Sequence, residues 1–259
     1  METPLLTAAA RLSALLFALA ASLSAVTLDA EYSLSYGIFP AIGTTTLHYE
    51  SADGRYRIVA EARLHGLAAI LAHHHTERHI SIGAVDAKGR LVPQRYETLR
   101  TMDGFRRERS YLFEQRHRYI IFEEHVDIQR KEKHFDPQTM HYVETVHPEK
   151  MFYRHIELYQ AKDDLLSLYF NGRKTLSALP AGETFNFAAA GEEHGIVKVT
   201  RQVLPLHFIF LLDQDIFRSK QGEVYVVTDE AFYVKSAVLK DVFLFGDLKV
   251  EREWLRTGP

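Results

Sequence analysis

Cysteine is absent from the 259 residues. No disulfide can staple this fold, thiol chemistry is excluded, and a lipoprotein anchor, which is built on a cysteine, cannot form. A basic excess is also lacking: 31 Lys+Arg stand against 34 Asp+Glu, for a formal net charge of -3. Nucleic-acid binding, which draws on a positive surface, is therefore not expected. Apolar runs long enough to span a bilayer are missing too. The longest, Leu12–Leu23, falls short of the ~20 residues that a spanning helix needs. Short Gly/Ser-rich linkers and low-complexity tracts do not occur, and no repeat recurs at a fixed period.

The run that does exist has a specific reading. Arg11 precedes it, and Ser22-Leu23-Ser24 places small residues at the -3 and -1 positions of a cleavage site. Residues 1–24 are expected to be a signal peptide cut after Ser24, leaving a soluble periplasmic product. Residues 25–259 are then expected to form one domain, with no composition break along them.

Aromatics are plentiful, with 16 Phe and 13 Tyr, and they suit half-buried strands. Leu28, Ala30, Tyr32, Leu34 and Tyr36 alternate with Asp29, Glu31, Ser33 and Ser35, which predicts a strand with one dry face. Similar alternation runs through 42–50, 55–64, 78–85, 91–100, 105–113 and 119–129. Asp53-Gly54 and Asp103-Gly104 mark hairpin turns, and Asp86–Gly89 a further turn. Lys131–Arg154 is weakly patterned and reads as an irregular excursion with a short hairpin. Further strands are predicted over 183–190, 196–204, 206–212, 223–227, 233–245 and 247–255, the last two forming either one bent strand or a hairpin at Gly246. The resulting class is mostly β: an antiparallel curved sheet or open half-barrel of roughly ten strands with one short helix packed on it.

That helix is predicted over Lys162–Gly172, with Asp163 as its N-cap, Gly172 at its C-terminal cap and Leu165 and Leu168 buried. Ser167 is read as small where the helix meets the sheet. A shorter helix is predicted within Gly66–His75.

Few constellations carry chemistry. If the shorter helix continues, His75 and His79 share one face at i, i+4, the spacing of a weak zinc candidate. The rival reading is a solvated helix end, and no metal or other cofactor is expected. No nucleophile elbow is present. Glu123 and Glu124 are adjacent on a strand and point to opposite faces, so they cannot share a substrate. Arg106, Arg107, Arg109, Arg116 and Arg118 interleave with aromatics, but the nearby glutamates favour cross-strand ion pairs over nucleic acid.

Tyr32–Gly43 and Asp164-Leu165-Leu166-Ser167-Leu168-Tyr169-Phe170 resemble the opening strand pair and the central Asp-x-x-Ser-x-x-Tyr-type helix of a bacterial family, domain of unknown function 3108. Glu223–Lys249 resembles its closing strand pair. At Asn171-Gly172 the chain departs from that pattern, in which the helix continues toward an Arg, here Arg173. The resemblance implies export, a curved sheet partly wrapped around a helix, and no established activity.

A curved sheet has a concave face that one short helix covers incompletely. Phe185, Phe187, Phe208, Phe210, Phe243 and Phe245 pair at i, i+2, each pair on one face of its strand. They are the candidate walls of an apolar groove for an acyl chain or a lipidated partner. The leading expectation is thus a non-catalytic envelope protein whose partner is a lipid or another envelope protein. The alternatives are an interaction module with a filled core, and a hydrolase for which no site is found.

Overall fold

The computed structural model describes residues 25–158, 161–190, 196–211, 222–242 and 246–258. The expected signal peptide with its cleavage position, and Phe243 and Phe245, lie outside these residues.

Strands β1 (Val26–Tyr36), β2 (Phe39–Ala52), β3 (Arg55–Leu64), β4 (Thr76–Val85), β5 (Leu91–Met102), β6 (Phe105–Glu114), β7 (Tyr119–Asp136) and β8 (His141–Leu158) pair in succession as an antiparallel meander. A short helix, α1 (Gly66–Leu71), lies between β3 and β4. The two-residue strand β9 (Asp163–Asp164) leads into the main helix, α2 (Leu165–Ala178). A second meander follows: β10 (Thr184–Ala190), β11 (Ile196–Arg201), β12 (His207–Leu211), β13 (Glu223–Thr228), β14 (Val234–Val242) and β15 (Gly246–Gly258). β15 pairs antiparallel with β1, from Thr27↔Gly258 to Tyr36↔Leu248. The two meanders therefore join into one sheet, and β9, paired parallel to β10, is its fifteenth strand among the described residues, so the order ends at β8 on one side and β9 on the other. It is a large sheet that does not close, consistent with the expected curved sheet or open half-barrel, though with more strands than the ten or so expected.

Local chemistry explains much of this. Leu28, Ala30 and Tyr32 of β1 are buried, as are Tyr56 and Ile58 of β3, each at alternate positions. At Asp53-Gly54 both residues have positive φ, 53° and 70°, the backbone of a tight hairpin turn. β14 and β15 form an antiparallel hairpin at Gly246 rather than one bent strand.

The core has two parts, and α2 joins them. Leu166 and Phe170 pack with Leu28, Tyr56, Tyr96 and Phe122 of the first meander. Nearly two turns beyond Phe170, Leu176 packs with Phe187, Val199, Phe208 and Val226 of the second. A Cβ on Gly172 would stand 3.3 Å from the Phe187 ring, so the glycine lets the helix lie close over β10.

Several expectations are corrected here. The helix starts two residues later than its predicted cap and runs through Gly172 to Ala178, with Asp164 rather than Asp163 as N-cap. Shifting the start rotates the buried stripe: Leu165 is 44% exposed and Leu166 is buried, while Leu168 is partly buried. Ser167 is fully buried against the sheet, as expected. Lys131–Arg154 is no irregular excursion. It supplies the outer halves of β7 and β8, paired as far as Asp136↔His141. Nothing from Gln129 to Pro148 is buried, so this stretch has no core side to imprint an apolar alternation.

Candidate functional site

The start of α2 is tied to β3 and β4 through a buried polar chain. Asp164 Oδ1 accepts from the backbone N–H groups of Leu166 and Ser167, both at 2.9 Å, and the Asp164 N–H donates to Ser167 Oγ at 3.0 Å. This reciprocal capping box satisfies the open donors of the first helical turn. Ser81 Oγ donates to Asp164 Oδ2 at 2.6 Å and lies 3.0 Å from the Tyr56 hydroxyl. Burial pushes the Asp164 carboxyl up to about 6, against the pull of the bonds from Ser81, Ser167 and Leu166. Ser167 Oγ also donates to Asp164 O at 3.2 Å. A fully buried hydroxyl used twice within its own cap serves the fold.

Asp163 turns the other way. Its carboxylate meets Arg90 Nη2 at 2.7 Å and Asn171 Nδ2 at 2.7 Å. Asn171 in turn brackets the start of β5, accepting from Leu91 N at 2.9 Å and donating to Leu91 O at 2.8 Å. Further along α2, the Tyr169 hydroxyl accepts from Val234 N at 3.2 Å, while the Tyr32 hydroxyl donates to Val234 O at 3.3 Å. Arg173 lies over the Tyr233 ring, 3.9 Å from its centroid, and donates to Phe170 O and Ala231 O. One helix thereby fastens the start of β5 and the start of β14.

Between these fastenings an open cleft of about 820 Å³ remains. Its apolar walls include Leu28, Tyr49, Leu91, Phe170, Phe185 and Phe187. Tyr49 and Phe170 stack at 4.7 Å, and Phe185 meets Phe187 edge-on at 4.9 Å. Lys88, Arg90, Arg173 and Lys174 also line it, with the acids Asp86 and Asp163. A smaller depression of about 410 Å³ shares Lys174, Thr175 and Phe185 and continues over Ala178, Leu179 and Pro180.

Of the phenylalanines singled out from sequence, the structure brings Phe185 and Phe187 to this cleft. Phe185 is 44% exposed and Phe187 is buried. Phe208 sits instead in the filled core, edge-on to Phe232 at 6.3 Å, and Phe210 packs partly buried against the same cluster.

The histidine pair is arranged differently from the helical expectation. α1 ends at Leu71 and His79 lies on β4, so the i, i+4 helical face does not exist. Period-2 spacing instead sets Glu77 between the two rings: His75 Nε2 lies 3.4 Å and His79 Nε2 3.1 Å from its carboxylate, with Arg100 Nη2 at 3.0 Å. Burial alone would raise the Glu77 carboxyl, but the bonds from His75 and His79 and the charges of His79 and Arg100 hold it far below the carboxylate range. His79 Nδ1 meets the Tyr96 hydroxyl at 2.6 Å. Among the described residues no group of three or more His, Cys, Asp or Glu side chains is placed to hold a metal ion. Two arginines of β6 pair across strands, Arg109 at 2.7 Å and Arg107 at 3.4 Å from Glu124, while Arg106 pairs along its own strand with Glu108 and Glu123 meets Arg154.

Sequence reasoning missed the chain Tyr56–Ser81–Asp164 and the cationic lining. The Asp164-x-x-Ser167 spacing is a capping-box signal and identifies the cap. Ser81 has no such mark, lying between Ile80 and Ile82 with its partner on another element. No helix among the described residues is long and apolar enough to cross a membrane.

A search of curated proteins returns no match. Residues 31–198, about two thirds of the chain, match the family described as protein of unknown function (DUF3108). The match takes in the second half of β1, β2 through β10 and the whole of α2, and so most of the cleft, while β12 to β15 lie beyond it. This chain belongs to the DUF3108 family.

Proposed function

We propose that the protein is a non-catalytic, exported binding protein that holds an apolar ligand or the acyl chain of a lipidated partner in the cleft beside α2. The observation that carries this reading is the cleft itself. Its volume of about 820 Å³ falls among those of small-molecule sites, roughly 300–1,000 Å³, and aromatic and aliphatic walls stand in it beside a charged rim. The helix of 14 residues is ~21 Å long, whereas 15 strands extend roughly 70 Å along the sheet. One helix leaves apolar sheet surface to be covered by something else.

A fluorescent fatty-acid analogue should bind the folded protein in the micromolar range. Phe185→Glu, at a partly exposed wall position, should weaken binding by roughly tenfold or more with the thermal midpoint retained. No binding of any apolar probe to folded protein would discard the reading. Export belongs to the same proposal: protein recovered from its host should begin at Ala25.

A second reading has its own support. The edge strand β8 exposes Phe152, Tyr153, Ile156 and Leu158, and a long open edge is a template for pairing with another chain. If the cleft binds nothing, an interaction module built on this edge becomes the working description.

A further inference from the structure

We infer that the cleft selects a single-chain amphiphile with a carboxylate head, of the free fatty-acid type, and that the head is held at the rim by Lys88 and Lys174. The inference rests on the binding reading above and specifies the ligand for it. Four cations and two carboxylates line the cleft, Lys88, Arg90, Arg173 and Lys174 against Asp86 and Asp163, in a chain whose net charge is -3.

These charges are not equivalent. Arg90 and Asp163 compensate one another at 2.7 Å. Arg173 lies over the Tyr233 ring and donates to the carbonyls of Phe170 and Ala231. Asp86 is folded into its own turn, accepting from the N–H groups of Lys88 and Arg90, both at 2.8 Å. Both bonds fall on Oδ1, and with the nearby Arg90 and Lys88 charges they lower its carboxyl.

Two ammonium groups are left. Lys174 Nζ donates to Lys88 O at 3.3 Å, so α2 and the β4–β5 turn meet at this point and both lysines stand on one rim. Among the described residues no carboxylate lies within ion-pair distance of either. Phe185 and Thr175 adjoin Lys174 in both the cleft and its shallower continuation over Leu179 and Pro180. A positive rim above an apolar wall is complementary to an anionic head on an apolar tail. The volume suits one chain rather than a bulky multi-chain lipid, which favours a free fatty acid over a membrane headgroup.

The test titrates laurate and the neutral dodecyl maltoside, both below micelle formation, into the full mature chain. Laurate should bind roughly tenfold or more tightly than the neutral probe, and raised salt should weaken laurate alone. The double variant Lys88→Glu, Lys174→Glu should lose that preference while keeping its thermal midpoint. Equal affinity for the two probes, or a laurate preference that survives the double variant, overturns head selection and leaves the apolar site standing. Binding to neither probe removes the site itself. Co-sedimentation with anionic phosphatidylglycerol vesicles without a laurate preference would reassign the lysines to a membrane surface and also overturn the inference.

Discussion

Asp164 shows what a single residue does in this fold and how much of it can be read in advance. Its Asp-x-x-Ser spacing marks a helix start. That the same carboxylate also receives Ser81, 83 residues earlier, is invisible locally, because only the sheet brings β4 beneath the helix. Asp164→Ala removes a cap and leaves Ser81 and two backbone donors unmet in a dry setting. It should cost about 2–4 kcal/mol in a denaturant melt. Asp164→Asn keeps a side-chain acceptor for the backbone donors and should cost less. The carboxyl also has a pH signature. It is raised in the folded state to about 6 from 3.8, so between those values the folded chain holds a proton that the unfolded chain has released. Stability from this group is fully present below pH ~4 and is lost as pH rises through ~6. The neighbouring Asp163 is held by Arg90. The difference in unfolding free energy between wild type and Asp164→Asn should therefore change over that window by up to about 3 kcal/mol, and a flat difference would contradict the buried carboxyl. Glu77 acts in the opposite direction. Its lowered carboxyl contributes stability above about 4.5 that fades as pH falls, so Glu77→Gln should flatten the acid limb of the stability curve.

At the scale of an element, α2 is where local rules and tertiary packing part. Gly172 reads as a stop, because glycine commonly follows a helix end. In the structure it lies mid-helix because Phe187 needs the space, and the glycine is kept despite costing up to about 1 kcal/mol relative to Ala in helix propensity. With Asp164 as the cap, Leu166 rather than Leu165 lies on the buried side, which separates two neighbouring leucines in a direct test. Leu166→Ala should cost about 2–5 kcal/mol and Phe170→Ala about 3–5 kcal/mol. Leu165→Ala should cost less than about 1 kcal/mol. Equal losses at 165 and 166 would mean that the helix is rotated from the orientation described. β7 and β8 teach the converse: their outer halves are regular strands without a buried face, so the pattern that reveals β1 and β3 has no physical cause there.

For the whole molecule, stability should be concentrated where α2 spans the two cores rather than spread along the sheet. Residues 129–148 contribute no buried side chain. Joining Ile128 to Glu149, a directly paired position, through an Asn-Gly turn should leave the unfolding free energy within about 1 kcal/mol. It would also remove exposed Phe135, Met140, Tyr142 and Val146 and so lower self-association in sedimentation velocity. A large loss of stability would show that the long hairpin is part of the cooperative core. By itself the sequence determined what depends on near neighbours: the absence of disulfides, the alternating strands, the Asp53-Gly54 and Asp103-Gly104 turns, a helix carrying Ser167 inward, and family membership. Only the tertiary structure decided that β1 pairs with β15, from Thr27↔Gly258 onward, that one helix is shared by two cores, and that Lys174 of α2 meets the backbone of Lys88. Those are meetings between residues tens to hundreds of positions apart, and no period of two or 3.6 residues carries that information.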